Sequence, residues 1–85
     1  MIAVNVRRYI SAFAKAGDHY IGDLNFIKQP SVEMLRTIFP FVDEKDPMYD
    51  EYPIDAAAEL MLAPLIDGKF DLYENYYFLS CDKQG

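Results

Sequence analysis

Residues 2–28 read IAVNVRRYISAFAKAGDHYIGDLNFIK, two runs of alternating apolar and polar side chains on either side of Gly17-Asp18. Alternation with a period of two is typical of strands that bury one face. Gly accepts a positive φ and Asp hydrogen-bonds to its own backbone, so Gly17-Asp18 is suited to a turn. We therefore predict an antiparallel hairpin with strands over 2–13 and 20–28, with a bulge or an edge position where Arg8 interrupts the apolar row.

Two short helices are predicted after the hairpin. Ser31 can cap the first, whose apolar stripe lies within 32–39. Asp55 is the predicted N-cap of the second helix, which Pro64 should end or kink. Between the helices, residues 41–53 show no clear periodicity and contain several acids and two prolines, which indicates an ordered loop.

The chain ends in a run rich in Tyr and Phe, residues 70–82, which alternation and β propensity assign to a third strand. The element order is then β-β-α-α-β. We predict an α+β fold: a three-stranded antiparallel sheet with the final strand beside the first and two helices on one face. A chain of 85 residues encloses one modest core, so residues 1–85 are predicted to be a single domain.

The composition is typical of a folded protein whose cysteine is in the reduced, thiol form. Hydrophobic residues make up 52% of the chain, well above the content of disordered sequences. Cys81 is the single cysteine, whereas small secreted domains usually depend on several disulfides. No apolar run approaches the roughly 20 residues that cross a bilayer, and the first fifteen residues lack the apolar segment of a signal peptide. We predict a cytoplasmic location without membrane contact.

The net charge of −6 is unevenly distributed. Up to Arg36, five basic residues outnumber three acids, whereas beyond it three lysines stand against eleven acids, so the second part carries −8. Such a surface repels phosphate backbones and attracts basic proteins. The charge therefore predicts a basic protein partner and argues against nucleic acid.

Catalysis and metal binding have weak support in the sequence. His19 and Cys81 are the only candidates for a nucleophile and base pair, and a turn-side histidine with a core thiol is the simpler interpretation. The acidic stretch over 43–52 lacks the central Gly of a calcium loop and contains Pro47 instead. We expect no enzymatic activity, no metal and no cofactor.

The same acidic stretch is the best candidate for an interaction surface. Tyr is enriched in binding hot spots, while carboxylates supply steering and specificity. In the alternative interpretation Tyr52 pins the loop onto the core and the charges are simply solvated, which leaves Tyr49 as the better anchor. The predicted partner-binding residues are Asp43, Glu44, Asp46, Tyr49, Asp50, Glu51 and Tyr52.

Four segments resemble the small immunity proteins encoded beside bacterial polymorphic toxins, including those of contact-dependent growth inhibition: Phe13-Ala14-Lys15, Asp46-Pro47-Met48-Tyr49, Tyr52-Pro53-Ile54 and Tyr77-Phe78-Leu79. The resemblance implies a cytoplasmic protein that binds the toxic C-terminal domain of a cognate effector and blocks it. Many such effectors are nucleases, whose substrate channels must be basic, and an acidic inhibitor fits them. The alternative is a structural or regulatory subunit without catalytic activity that self-associates, so homo-oligomerisation is left open.

Overall fold

The computed structural model describes residues 5–43 and 45–84. Along these residues five strands and two α-helices follow one another, with a 3-10 turn directly after the second helix. Their bounds are β1 Asn5–Ala14, β2 Tyr20–Phe26, α1 Val32–Ile38, β3 Tyr52–Pro53, α2 Ala56–Leu62, the 3-10 turn Ala63–Leu65, β4 Ile66–Asp67 and β5 Asn75–Gln84.

The sheet has five strands in the order β3-β5-β1-β2-β4, all paired antiparallel. The prediction of a three-stranded sheet is therefore wrong. The predicted hairpin of β1 with β2 and the pairing of β5 with β1 are present. The additional strands, Tyr52–Pro53 on β5 and Ile66–Asp67 on β2, have two residues each. A segment of two residues is too short to show an alternating pattern, so sequence periodicity does not detect it.

Arg8 lies inside the central strand β1, and its side chain is buried with 4% exposure. The predicted bulge occurs four residues later instead, between Ala12 and Phe13. Beside Arg8, the side-chain amide of Gln29 replaces a strand: Gln29 Oε1 accepts from the Arg8 N–H at 2.7 Å, and Gln29 Nε2 donates to the Arg8 carbonyl at 2.9 Å. The ladder along β1 is thereby continued by one side chain beyond the end of β2.

Both helices begin at the predicted N-caps. Ser31 Oγ accepts from the Met34 N–H at 3.1 Å, and Asp55 Oδ1 accepts from the Ala58 N–H at 2.8 Å. These bonds satisfy backbone donors that the first helical turn leaves without a partner. Pro64 falls in the 3-10 turn that ends the second helix, as its missing N–H requires.

One face of the sheet carries the core. Ile10 of β1 lies between Leu24 of β2 and Leu79 of β5, so these three side chains share that face. Both helices add their buried side chains to the same cluster. They are Leu35, Ile38, Ala58 and Leu62.

The opposite face of the sheet is lined by aromatic side chains. The Phe13 ring meets Tyr20 and Phe78 edge to face, with centroids 5.6 and 5.7 Å apart. Tyr20 is 58% exposed, whereas Ser11 and Ser80 are buried among their neighbours and joined by a 2.7 Å hydrogen bond. We call these side chains the outer face.

Each α-helix has seven residues. Within residues 5–43 and 45–84, no helix has the length and apolar character needed to pass through a bilayer.

Candidate interaction surface

The acidic loop, residues 42–51, leaves and rejoins the fold at one cluster of three rings. Phe39 and Phe41 precede the loop, and Tyr52 follows it. The ring centroids of Phe39 and Tyr52 lie 6.0 Å apart, and those of Phe41 and Tyr52 lie 6.5 Å apart. Because Phe39 and Tyr52 are buried, the two ends of the loop are fixed to the core.

Asp46 holds the interior of the loop together. Its Oδ1 accepts from the Met48 N–H at 2.8 Å, and its Oδ2 accepts from the Tyr52 hydroxyl at 2.9 Å. Met48 is fully buried and has a φ of 60°, which non-glycine residues seldom adopt. The Asp46 carboxylate therefore bonds within the loop and stabilises a tight left-handed turn.

Two arginines that are not part of the loop donate hydrogen bonds to its main chain. Arg36 Nη2 donates to the Asp46 carbonyl at 2.7 Å, and Arg8 Nη2 donates to the Pro47 carbonyl at 2.9 Å. In a chain with an excess of acids, arginines ordinarily pair with carboxylates. Arg7 does so, with Asp82 at 3.7 Å, whereas Arg8 and Arg36 bind the main chain. Neither of these two arginines forms an ion pair with a carboxylate of the loop that the structure describes.

Tyr52 lies at the centre of this arrangement. Burial raises the pKa of its hydroxyl to about 12, and the hydrogen bond that it donates to Asp46 acts in the same direction. Both effects disfavour a phenolate beside a carboxylate in a poorly solvated place. Tyr52 therefore pins the loop to the core, which is the alternative interpretation considered from the sequence.

The predicted binding residues separate into two groups. Asp46 and Tyr52 point inward, whereas Asp43, Asp50 and Glu51 are exposed. Tyr49 is half-buried. Of the seven predicted positions, Glu44 lies outside the described residues.

The exposed carboxylates are largely without cationic partners. Of the thirteen Asp and Glu residues that the structure describes, eleven are exposed. In the part of the chain that the structure describes, Arg7 with Asp82 is the single ion pair. Asp43 Oδ1 accepts from the Lys45 N–H at 2.8 Å, a bond that orders the loop but leaves the charge in place. The surface therefore carries a negative potential that a cationic partner can meet.

An apolar cleft of about 260 Å³ lies at the base of the acidic loop. Phe41 and Pro53, which flank the loop on either side, both line it, and so do Ala57 and Met61 of α2. Phe41 is 70% exposed and Met61 46%. Sequence reasoning missed this cleft because it forms between segments that are distant in the chain. The exposed Phe beside Pro40 was the one available signal.

His19 and Cys81 are not brought together. His19 lies in the β1–β2 turn, where its carbonyl accepts from the Ala14 N–H, and Ala14 pairs with Asn75 at the start of β5. Cys81 is six residues further along β5, and at about 3.3 Å per residue the two side chains lie roughly 20 Å apart. Searched over the described ranges, the Cys, His, Asp and Glu side chains form no group that could hold a metal ion.

Comparison with known proteins gives a family without an assigned role. No curated protein matches the chain. The family model described as Domain of unknown function (DUF7683) matches residues 7–80, from the central strand to the last one. That span contains the acidic loop, the cleft and both helices, so the chain belongs to the DUF7683 family.

Proposed function

We propose that this protein binds a basic protein domain and neutralises it, as the immunity protein of a toxin does, and that it acts by binding rather than by catalysis. The observation that carries the proposal is the set of exposed carboxylates around the acidic loop. Arg8 and Arg36, the arginines that contact this loop, bind main-chain carbonyls instead. Exposed negative charge on a loop that is held in place favours association with a positive surface.

The mechanism is occlusion. A nuclease toxin holds phosphates with Lys and Arg, and these side chains form short charge-assisted hydrogen bonds with carboxylates as well. Asp43, Asp50 and Glu51 would take the places of phosphates in such a channel. Glu44 and Tyr49 remain predicted contacts, the latter as an anchor.

Asp46 and Tyr52 have a different part in this proposal. Their side chains bond to each other inside the loop, so they position the exposed carboxylates instead of touching the partner. A preformed loop loses less conformational entropy on binding than a flexible one. Removal of the Asp46 carboxylate or of the Tyr52 hydroxyl should therefore weaken binding, because the loop becomes less ordered.

Co-expression with the product of the neighbouring upstream gene, as the candidate effector, tests the proposal. The variant D43N/D50N/E51Q removes three loop charges, and the control D18N/E33Q/E74Q removes three exposed charges elsewhere, so both proteins carry −3. We expect wild type and control to protect cells and co-purify with the effector, and the loop variant to lose both properties. Cells that die equally with and without the wild-type protein would remove the proposal.

Self-association is a second candidate, favoured by the aromatic outer face. Tyr20 is 58% exposed there and Tyr76 44%, and aromatic rings are enriched at interfaces. The charge of −6 on each copy opposes it. Light scattering at high protein concentration, with and without salt, tests this candidate: a strict monomer counts against a self-assembling subunit, whereas a dimer does not exclude the immunity role.

A further inference from the structure

We infer that the cleft at the base of the acidic loop seats one large apolar side chain of a basic partner, with Lys or Arg residues of the same partner segment on the surrounding carboxylates. The inference rests on the proposed function, since it names the contact through which the basic protein is recognised. It adds an apolar anchor to a surface so far described by its charge.

The size and lining of the cleft suit such an anchor. Its volume of about 260 Å³ exceeds the roughly 150 Å³ that holds a benzene ring in an engineered cavity. Phe41, Pro53, Ala57 and Met61 supply apolar walls, and all four are exposed in the free protein. An apolar pocket of this kind, open to solvent, is where an interface places its most energetic side chain.

The charges around the cleft select a cationic partner. Asp55 is the one charged residue in the lining, among the residues that the structure describes. Asp43 follows the lining residue Phe41 by two positions, and Glu51 precedes the lining residue Pro53 by two. Two residues span at most about 7 Å. Carboxylates on both ends of the acidic loop therefore lie within reach of a partner side chain that enters the cleft.

The two requirements together identify the partner chemistry. An uncharged apolar segment would leave the flanking carboxylates without counter-charges, and a purely basic segment would leave the apolar walls in water. A Phe or Leu with Lys or Arg on either side satisfies both surfaces at once. The cleft therefore distinguishes among basic partners by shape, which charge alone does not do.

Two adjacent alanines of α2 offer a matched pair of variants. Ala57 lines the cleft, whereas Ala56 is exposed and outside it. A57W fills the cleft with an indole, and A56W places the same indole in solvent. The chain contains no Trp, so fluorescence reports each indole separately. A blue-shifted emission for A57W and a solvent-like emission for A56W establish the intended occupancy.

The first measurement uses a short peptide with a central Phe flanked by Lys on both sides, added to isotope-labelled protein and followed by amide chemical shifts. We expect shifts at Phe41, Ala57 and Met61, and a dissociation constant raised about tenfold or more by A57W but unchanged by A56W. Matched peptides with Ala in place of Phe, or Glu in place of Lys, should bind more weakly. Equal binding to A57W and A56W, or the absence of shifts around the cleft, would overturn the inference.

The second measurement repeats the comparison with the effector domain in a pull-down. An effector captured equally well by wild type, A57W and A56W contradicts the anchor and leaves the proposed function intact. An effector that fails to bind wild type, while the peptide still seats in the cleft, removes the proposed function and leaves the cleft as a site for basic segments.

Discussion

Replacement of Gln29 by Ala should destabilise the fold more than any neighbouring surface substitution. The side-chain amide makes two hydrogen bonds to the main chain of Arg8, at 2.7 and 2.9 Å. Arg8 is 4% exposed, and it lies in the central strand. The substitution therefore leaves one N–H and one carbonyl of an interior residue without partners.

The size of the effect follows from those two groups. Each buried polar group that loses its partner costs about 1–3 kcal/mol. Gln29 itself is exposed, so water can enter and recover part of the loss. We expect Q29A to lower the free energy of unfolding by about 1–3 kcal/mol in total, and K28A, a matched exposed neighbour, to change it by less than about 0.5 kcal/mol.

Urea denaturation gives the stabilities, and amide hydrogen exchange of Arg8 gives the local readout. Q29E sharpens the test, because a carboxylate accepts from the Arg8 N–H but cannot donate to its carbonyl, whereas a protonated carboxyl can do both. Q29E should therefore be less destabilised near pH 4 than at pH 7, relative to wild type at the same pH. A Q29A protein with wild-type stability and a protected Arg8 amide would refute the reasoning.

Three further predictions concern the loop and the turns. The folded-state pKa of Tyr52, about 12, exceeds the unfolded value of 10.0. The neutral hydroxyl therefore stabilises the fold fully below pH 10, and this contribution is lost as the pH rises from 10 to 12. The alkaline denaturation curve of Y52F should lack that loss of stability. A Cβ at Gly68 would lie 2.6 Å from Leu24 Cδ2 at a φ of 136°, so G68A should cost more unfolding free energy than G22A, whose φ of 144° is similar but whose surroundings are open. M48A empties a fully buried site and should lower the unfolding free energy by about 2–5 kcal/mol in urea denaturation.

The strands and helices with long sequence patterns were predictable, and the short elements were not. The β1–β2 hairpin follows from alternation and from the turn residues Gly17 and Asp18, which have φ values of 86° and 53°. The helix caps follow from side-chain chemistry alone. The edge strands β3 and β4 depend on neighbours far along the chain, so no local pattern indicates them.

The acidic loop shows the same division. Its charge and its aromatic residues are evident in the sequence, and its ordered character was predicted. The inward turn of Asp46 was not, because it requires the positive φ of Met48 and the hydroxyl of Tyr52 at the same place. Of two carboxylates in one stretch, tertiary contacts decide which becomes structural and which stays in water.

Arg8 and Arg36 donate their hydrogen bonds to backbone carbonyl oxygens of the loop and not to its side chains. Every amino acid offers the same carbonyl, so both contacts persist when the outward side chains change. Substitutions at positions 43, 50 and 51 therefore leave these two contacts in place. The side chains of the loop that face solvent are thereby separated from the bonds that set its course.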